Sequence, residues 1–331
     1  MNQQNLFKNF HLNLNSDDYI TSYNIARRCN VVFAEVLTHQ QFDDLGIKNL
    51  DHKIIKYTEN FVIYRLNSFD LNDGDLIFCK TDFILDLFAV LRKAKKFKKI
   101  SILTHQSAKP SIDKSLFSLK PSCVVSWYSI NIIYETENLI PIPLGLANDY
   151  SSSNILPKDY KDYFKTNNIS SDKNLVMLNF NPETNIDARE KLKNYFETID
   201  WVNYSSNLTK NSYIKQLSHS NFVFSPPGWG LDTHRFWESL YFGVVPIINS
   251  TYDYSKLHIN NYLQYKNFKE ITEQKLNKFL DEKIDMNLNT LSVLTLDWWF
   301  QNVIKSHNLQ SNTKSLKYSN LDKLYKRIIK K

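Results

Sequence analysis

Short apolar runs alternate with amphipathic stretches along most of the chain. Before Asn30 no clear period is present. "NVVFAEVLT", from Asn30 to Thr38, reads as a buried strand, and "KIIKYTENFVIYRL" alternates in a way that predicts one or two edge strands. From Asp75 onward "DLIFCK", "KISILTH" (ending at His105), "SCVVSWYS" (Ser122 to Ser129) and "NLIPIPLG" (Asn138 to Gly145) are continuous apolar runs of strand length. Between the first two, "DFILDLFAVLRKAKKF" has helical spacing and a basic end, which suits a helix C-terminus. Apolar strands separated by helical or loop segments predict a parallel sheet with crossovers.

Residues Ala147 to Lys173 are polar and carry three serines in a row, which marks a linker. The second half then repeats the theme. "NLVMLNF", "WVNYSS", "NFVFSPP", "VVPIINS" and "NYLQYKNF" read as strands. "NIDAREKLKNYFET", "NSYIKQLSHS", "LDTHRFWESLYFG" and "ITEQKLNKFLDEKI" read as helices, the third closed by Gly243. This is the order of a Rossmann-like domain. "LSVLTLDWWFQNVIKSH" predicts one long helix, and no internal repeat is present. The expected organisation is an N-terminal domain over 1–150, a linker over 151–173, a second Rossmann-like domain over 174–290 and C-terminal helices over 291–331.

Composition narrows the class. The 331 residues suit two domains of about 150 each, and 42% hydrophobic residues exclude a disordered chain. Three widely spaced cysteines without a CxxC argue against a disulfide framework or zinc site and fit a reducing, cytoplasmic setting. The start "MNQQNLFKNFHLNLNSDD" lacks the basic and apolar regions of a secretory signal, and no run reaches spanning length. The formal charge is +7, and the tail "LDKLYKRIIKK" holds five of the basic residues. That tail reads either as a solvated helix end or as a contact for an anionic membrane face. Basic residues are otherwise scattered and no RRM, KH or helix-turn-helix pattern is present, so nucleic acid is not an expected partner.

The chemistry-bearing stretch is "FVFSPPGWGLDTHRFWESLYFGVVPIINS", Phe222 to Ser250, which reads as strand, glycine loop, helix and strand. Its loop follows a strand at the carboxyl edge, where ligands of open α/β sheets bind. Gly228 and Gly230 let the backbone approach a ligand, Ser225 before them is a further donor-binding candidate, and the helix N-terminus behind them suits an anion. Asp232 or Thr233 suits the cap, and His234 sits at the junction. Phe236, Trp237, Leu240 and Tyr241 form an apolar stripe, with Arg235 and Glu238 opposite. Arg235 would meet a diphosphate with two N–H groups and Glu238 a ribose; the plainer alternative is an exposed Arg–Glu pair. Trp229 between the glycines either stacks on a ring or plugs the loop onto the sheet. The pattern is neither GxGxxG nor Walker A, which lowers hydride transfer and nucleotide hydrolysis as functions.

This stretch resembles the C-terminal signature of exostosin-like glycosyltransferases, family 47 and its relatives, at Arg235, Glu238, Leu240, Gly243 and Pro246. "ILTHQS" and "IPIPLGLAND" resemble segments of small members of that group, although "THQSAK" departs from them at two positions. The resemblance runs from about Asp75 to Asn267 and implies a GT-B fold, two Rossmann-like domains facing across a cleft. It implies an inverting transfer from a nucleotide-sugar, a UDP-sugar first, to a glycan or glycolipid acceptor, without bound metal or other cofactor. Surface polysaccharide synthesis is the expected setting. "DLNDGD" precedes a strand instead of following one, so it does not read as a metal-binding DxD.

Single displacement needs a base for the acceptor hydroxyl and donors for the leaving diphosphate. His105 at a strand end is the first candidate base, then Asp149 and Glu35. Arg189 is a second donor-side cation, or an exposed helical Arg. Trp127 and Asn131 are candidates for the acceptor. A phosphosugar-binding protein without catalysis is the alternative of a different class.

Overall fold

The apolar runs become strands buried on both faces, and the computed structural model describes them within residues 3–94, 96–97, 99–109, 111–167, 173–282, 291–305 and 313–329. The chain is mixed α/β and divides into two units. One comprises Ser22–Ile142, Asp149–Ser151 and Phe300–Lys331; the other comprises Met1–Thr21, Pro143–Asn148 and Ser152–Trp299.

In the first unit, β1 (Val31–Leu37), β2 (His52–Tyr57), β3 (Val62–Leu66), β5 (Leu76–Lys80), β6 (Ile100–His105), β7 (Val124–Ser129) and β8 (Leu139–Pro141) form one sheet. β4 (Ser68–Leu71) stands apart. The sheet order is β2-β3-β1-β5-β6-β7-β8. β1 and β5 to β8 run parallel, and β2 and β3 add an antiparallel edge. This agrees with the alternating run read as edge strands: β2 is largely exposed, while β5 and β6 are buried throughout. The helix Ile84–Leu91 covers the sheet with Ile84, Leu87, Phe88 and Leu91.

In the second unit, β9 (Asn174–Leu178), β10 (Val202–Tyr204), β11 (Ser220–Phe224), β12 (Val245–Asn249) and β13 (Leu263–Tyr265) form an all-parallel sheet of order β10-β9-β11-β12-β13. The chain winds outward from β9 in both directions, so the strand order reverses between β9 and β11. In open α/β sheets ligands bind at such a reversal, outside the carboxyl ends of the strands. Helices Ile186–Phe196 and Lys210–Ser218 connect these strands, capped by Asn185 and Thr209.

Four features lay outside the sequence pattern. The helix Gln3–Asn13 belongs to the second unit, where His11 stacks on Phe164 at 4.5 Å and bonds to Tyr19 Oη and the Tyr241 carbonyl. Burial lowers the His11 pKa to about 3, so the ring is neutral. The span read as linker contains the helix Pro157–Thr166, whose Tyr160 and Phe164 are fully buried. The expected long C-terminal helix is interrupted: Leu291 and Ser292 are helical, a turn follows at Val293 and Leu294, and the helix resumes over Leu296–Asn302, where Thr295 Oγ1 accepts from Trp298 N at its start. Finally, β14 (Lys314–Lys317) pairs antiparallel with β4. The helix Asn320–Ile329 then packs onto Ile84–Leu91 through ion pairs of Lys326 with Asp86 and of Arg92 and Lys93 with Asp322.

Candidate functional site

The site is assembled on the second unit, where the segments after β9 and β11 leave the sheet at its point of strand reversal. β11 ends at Phe224, and Ser225 is tied to the sheet by its N–H, which donates to the Ile247 carbonyl at 2.8 Å. Pro226 and Pro227 contribute no N–H, and their carbonyls turn toward Arg189 of the Ile186–Phe196 helix. Arg189 Nη2 donates to Pro226 O at 3.1 Å, Nε to Pro227 O at 3.0 Å and Nη1 to Asn181 O at 3.0 Å. One guanidinium therefore holds the loops after β9 and β11 together. Arg189 is buried, not the exposed helical arginine of the plainer sequence reading.

Gly228 is required by this arrangement. A Cβ there would lie 2.9 Å from Arg189 Nη2. Its φ is not left-handed; among the described residues the left-handed glycines are Gly46, Gly74, Gly145 and Gly243. The close approach that the sequence assigns to a ligand is thus occupied from below by Arg189. Gly228 N donates to Gly230 O at 3.0 Å and Asn185 Nδ2 to Gly228 O at 3.3 Å, closing the loop. Trp229 is 71% exposed at its tip, so it does not plug the loop onto the sheet.

The helix His234–Tyr241 begins behind the loop. Thr233 is its N-cap residue but makes no side-chain cap; its hydroxyl instead meets Ser225 Oγ at 2.7 Å. Asp232 is buried and accepts from Leu144 N, Thr233 N, Trp237 Nε1 and Tyr254 Oη. Burial still outweighs these donors and raises its pKa to about 6. Asp232 is therefore a structural hub and not the ligand-facing group expected from the sequence. His234 Nδ1 donates to Gly145 O at 2.7 Å, which leaves Nε2 as the acceptor of the neutral ring. Gly145 has φ +67°, and a Cβ there would meet Ile20 O at 2.2 Å. The "PLGLAN" segment, which the sequence assigns to the N-terminal domain, thus completes this junction.

Arg235 and Glu238 do not form the exposed pair that helix spacing permits. Glu238 Oε2 accepts from Tyr213 Oη at 2.7 Å, and Arg235 lies over the Tyr213 ring, 5.8 Å from its centroid. Burial and the Glu238 charge raise the Tyr213 pKa, so the phenol remains a donor. Arg235 Nε is buried without a hydrogen-bond partner. Burial, then the Arg235 charge, lower the Arg189 pKa to about 10. Among the described residues neither guanidinium pairs with a carboxylate, so Arg189 on the loop and Arg235 in the first turn of the following helix bring two cations near a helix N-terminus. Such a place attracts an anion. Tyr213 escaped the sequence reading because a lone tyrosine on an amphipathic helix carries no motif.

The remaining candidates lie in the first unit, and most are core residues. Trp127 is fully buried, donates from Nε1 to Thr104 Oγ1 at 2.8 Å and packs on Phe88 and Phe117. Asn131 is buried at a left-handed turn, φ 54°, and its carbonyl accepts from Ile112 N. Neither presents a face to an acceptor. Glu35 is fully buried in β1, paired with Arg27 and accepting from Tyr64 Oη at 2.9 Å. Its pKa is raised by burial against the pull of Arg27. His105 is buried, and its Nδ1 accepts from Gln106 N at 2.8 Å. That bond occupies the lone pair a base would use at Nδ1 and places the neutral ring's proton on Nε2. Asp149 is exposed. No group of three or more potential metal ligands occurs among the described residues, and no described helix is long and apolar enough to cross a membrane.

The chain matches no family model and no curated protein. Among solved structures it is similar to a chain described as "Crystal structure of GtfA/B complex", with 11% identity and a TM-score of 0.32. The alignment covers 78% of this chain and 57% of that one, so this chain spans less than two thirds of its length.

Proposed function

We propose that this protein is a nucleotide-sugar-dependent glycosyltransferase whose donor diphosphate binds at the strand reversal between β9 and β11. The observation that carries the reading is that Arg189, bonded to the Pro226 and Pro227 carbonyls, and Arg235, in the first turn of the following helix and near enough to act on Arg189 by charge, have no carboxylate partner among the described residues. Charge grows on a departing nucleoside diphosphate as the glycosidic bond breaks. Fixed cations and the N–H groups of the His234–Tyr241 helix stabilise that charge without reorganising.

Within this reading Arg235 contacts the diphosphate and Arg189 holds the loop in place while adding its field. Glu238, oriented by Tyr213, accepts from the ribose hydroxyls, and Trp229 offers a ring face to the base or sugar. Of the three candidate bases, Asp149 is the one with an exposed carboxylate. The sugar passes to a glycan or glycolipid with inversion, as the sequence resemblance implies. A binding protein without transfer remains the second reading, because two of the three candidate bases are internally bonded.

Thermal-shift screening against UDP-, GDP-, ADP- and CMP-sugars tests the proposal, since a ligand bound only by the folded state raises the apparent melting temperature. At least one series is expected to stabilise the wild type, with UDP-sugars first, and Arg235→Ala is expected to abolish the shift. No shift with any nucleotide-sugar contradicts the assignment. Binding without transfer by wild type, with Asp149→Asn indistinguishable from it, selects the second reading.

A further inference from the structure

The helix Asn320–Ile329 packs on the first unit along one face only. Asp322 is buried against Arg92 and Lys93, and Lys326 reaches Asp86. The neighbouring face is apolar and open: Leu321 is 70% exposed, Leu324 55% and Ile328 62%, with Tyr325 beside them. At 100° per residue these four span an arc of about 100°, which is the width of a helical stripe made to bury. On the far flank stand Lys323 and Arg327, both exposed, and the strand leading into the helix adds exposed Lys317. The one acidic residue of the helix is the buried, ion-paired Asp322.

We infer that this helix docks the protein on an anionic lipid surface. An apolar stripe flanked by cations suits the boundary between charged headgroups and acyl chains. A second copy of the chain would bring the same cations together and is disfavoured by like charge. The ion pairs to Asp86 and Asp322 fix the helix, so the stripe is presented without unfolding anything. The sequence reading of this tail as a charged membrane contact is thereby given a geometry: the stripe inserts, and the lysines and arginine select the headgroup. This inference is independent of the proposed catalysis.

Co-sedimentation of the full chain with vesicles of phosphatidylcholine alone, or of phosphatidylcholine with phosphatidylglycerol, tests it. Binding is expected to be at least about tenfold stronger to the anionic vesicles and to fall with added salt. Leu324→Glu with Ile328→Glu is expected to abolish it, and Lys323→Glu with Arg327→Glu to remove the lipid preference. Circular dichroism of both variants checks that the exposed positions tolerate the changes. Equal binding to both vesicle types, unchanged binding by either variant, or a concentration-dependent dimer lost in Leu324→Glu would overturn the inference.

Discussion

Arg189 fills the space that any side chain at position 228 would need, since a Cβ there would lie 2.9 Å from its Nη2. The guanidinium cannot retreat easily, because three carbonyls, of Asn181, Pro226 and Pro227, accept from it. Gly228→Ala should therefore destabilise the protein by about 1–3 kcal/mol, as overpacking usually does. In an Arg189→Met background the same change should cost less, and a double-mutant cycle in urea measures the coupling. Additive effects would mean that the two residues do not share this space.

Glu238 is held by Tyr213 at 2.7 Å and assigned to the ribose. A ground-state contact of that kind binds substrate and transition state alike. Glu238→Gln is expected to raise the donor KM more than it lowers kcat. Steady-state kinetics with varied donor give the split. A fall in kcat at constant KM would place Glu238 in the chemical step instead.

The buried Asp232 gives a pH signature. Its folded pKa is raised from 3.8 to about 6, so the folded state keeps its proton where the unfolded chain has lost it. For such an acid the contribution to stability is full below the unfolded pKa and is lost as pH rises through the folded one. Wild type should lose on the order of 3 kcal/mol from this group between about pH 4 and about pH 7. Asp232→Asn should be less stable than wild type throughout, because an amide N–H would face Trp237 and Tyr254 donors, but its deficit should shrink as pH rises. Urea melts of both proteins across this range provide the comparison; a deficit that grows with pH contradicts the assignment.

Trp127 separates core from site. With its ring fully buried against Phe88 and Phe117, Trp127→Ala should cost about 3–5 kcal/mol of stability. Acceptor KM measured on the folded fraction should not change. A stable variant with a raised acceptor KM would restore it to an acceptor surface.

The strands and the glycine loop were legible because apolar runs of strand length and a strand–loop–helix punctuation are local signals. Arg235 and Glu238 were legible as occupants of one helix face, but their partners were not. Tyr213 comes from another helix, and Arg189's carbonyls come from two loops. Burial misled the reading at strand ends: His105 and Trp127 end or lie in apolar runs, and the same runs that predict strands also bury them. The apolar pattern around Gly145 continues from β8 and so predicts the first unit, whereas its long-range packing against Ile20 and His234 places it in the second. At Gly228 the sequence predicts close approach of a ligand, whereas the group that lies close is the side chain of Arg189.

The central claim is that the loop at the strand reversal is a diphosphate site centred on Arg235. Calorimetric titration of UDP, with GDP and ADP alongside, into wild type and Arg235→Ala tests it most directly. The account predicts that wild type binds at least one nucleoside diphosphate and that the variant binds it more weakly by about 2–4 kcal/mol, roughly 30- to 1,000-fold. Equal affinity of the two proteins, or no binding by wild type, would contradict it.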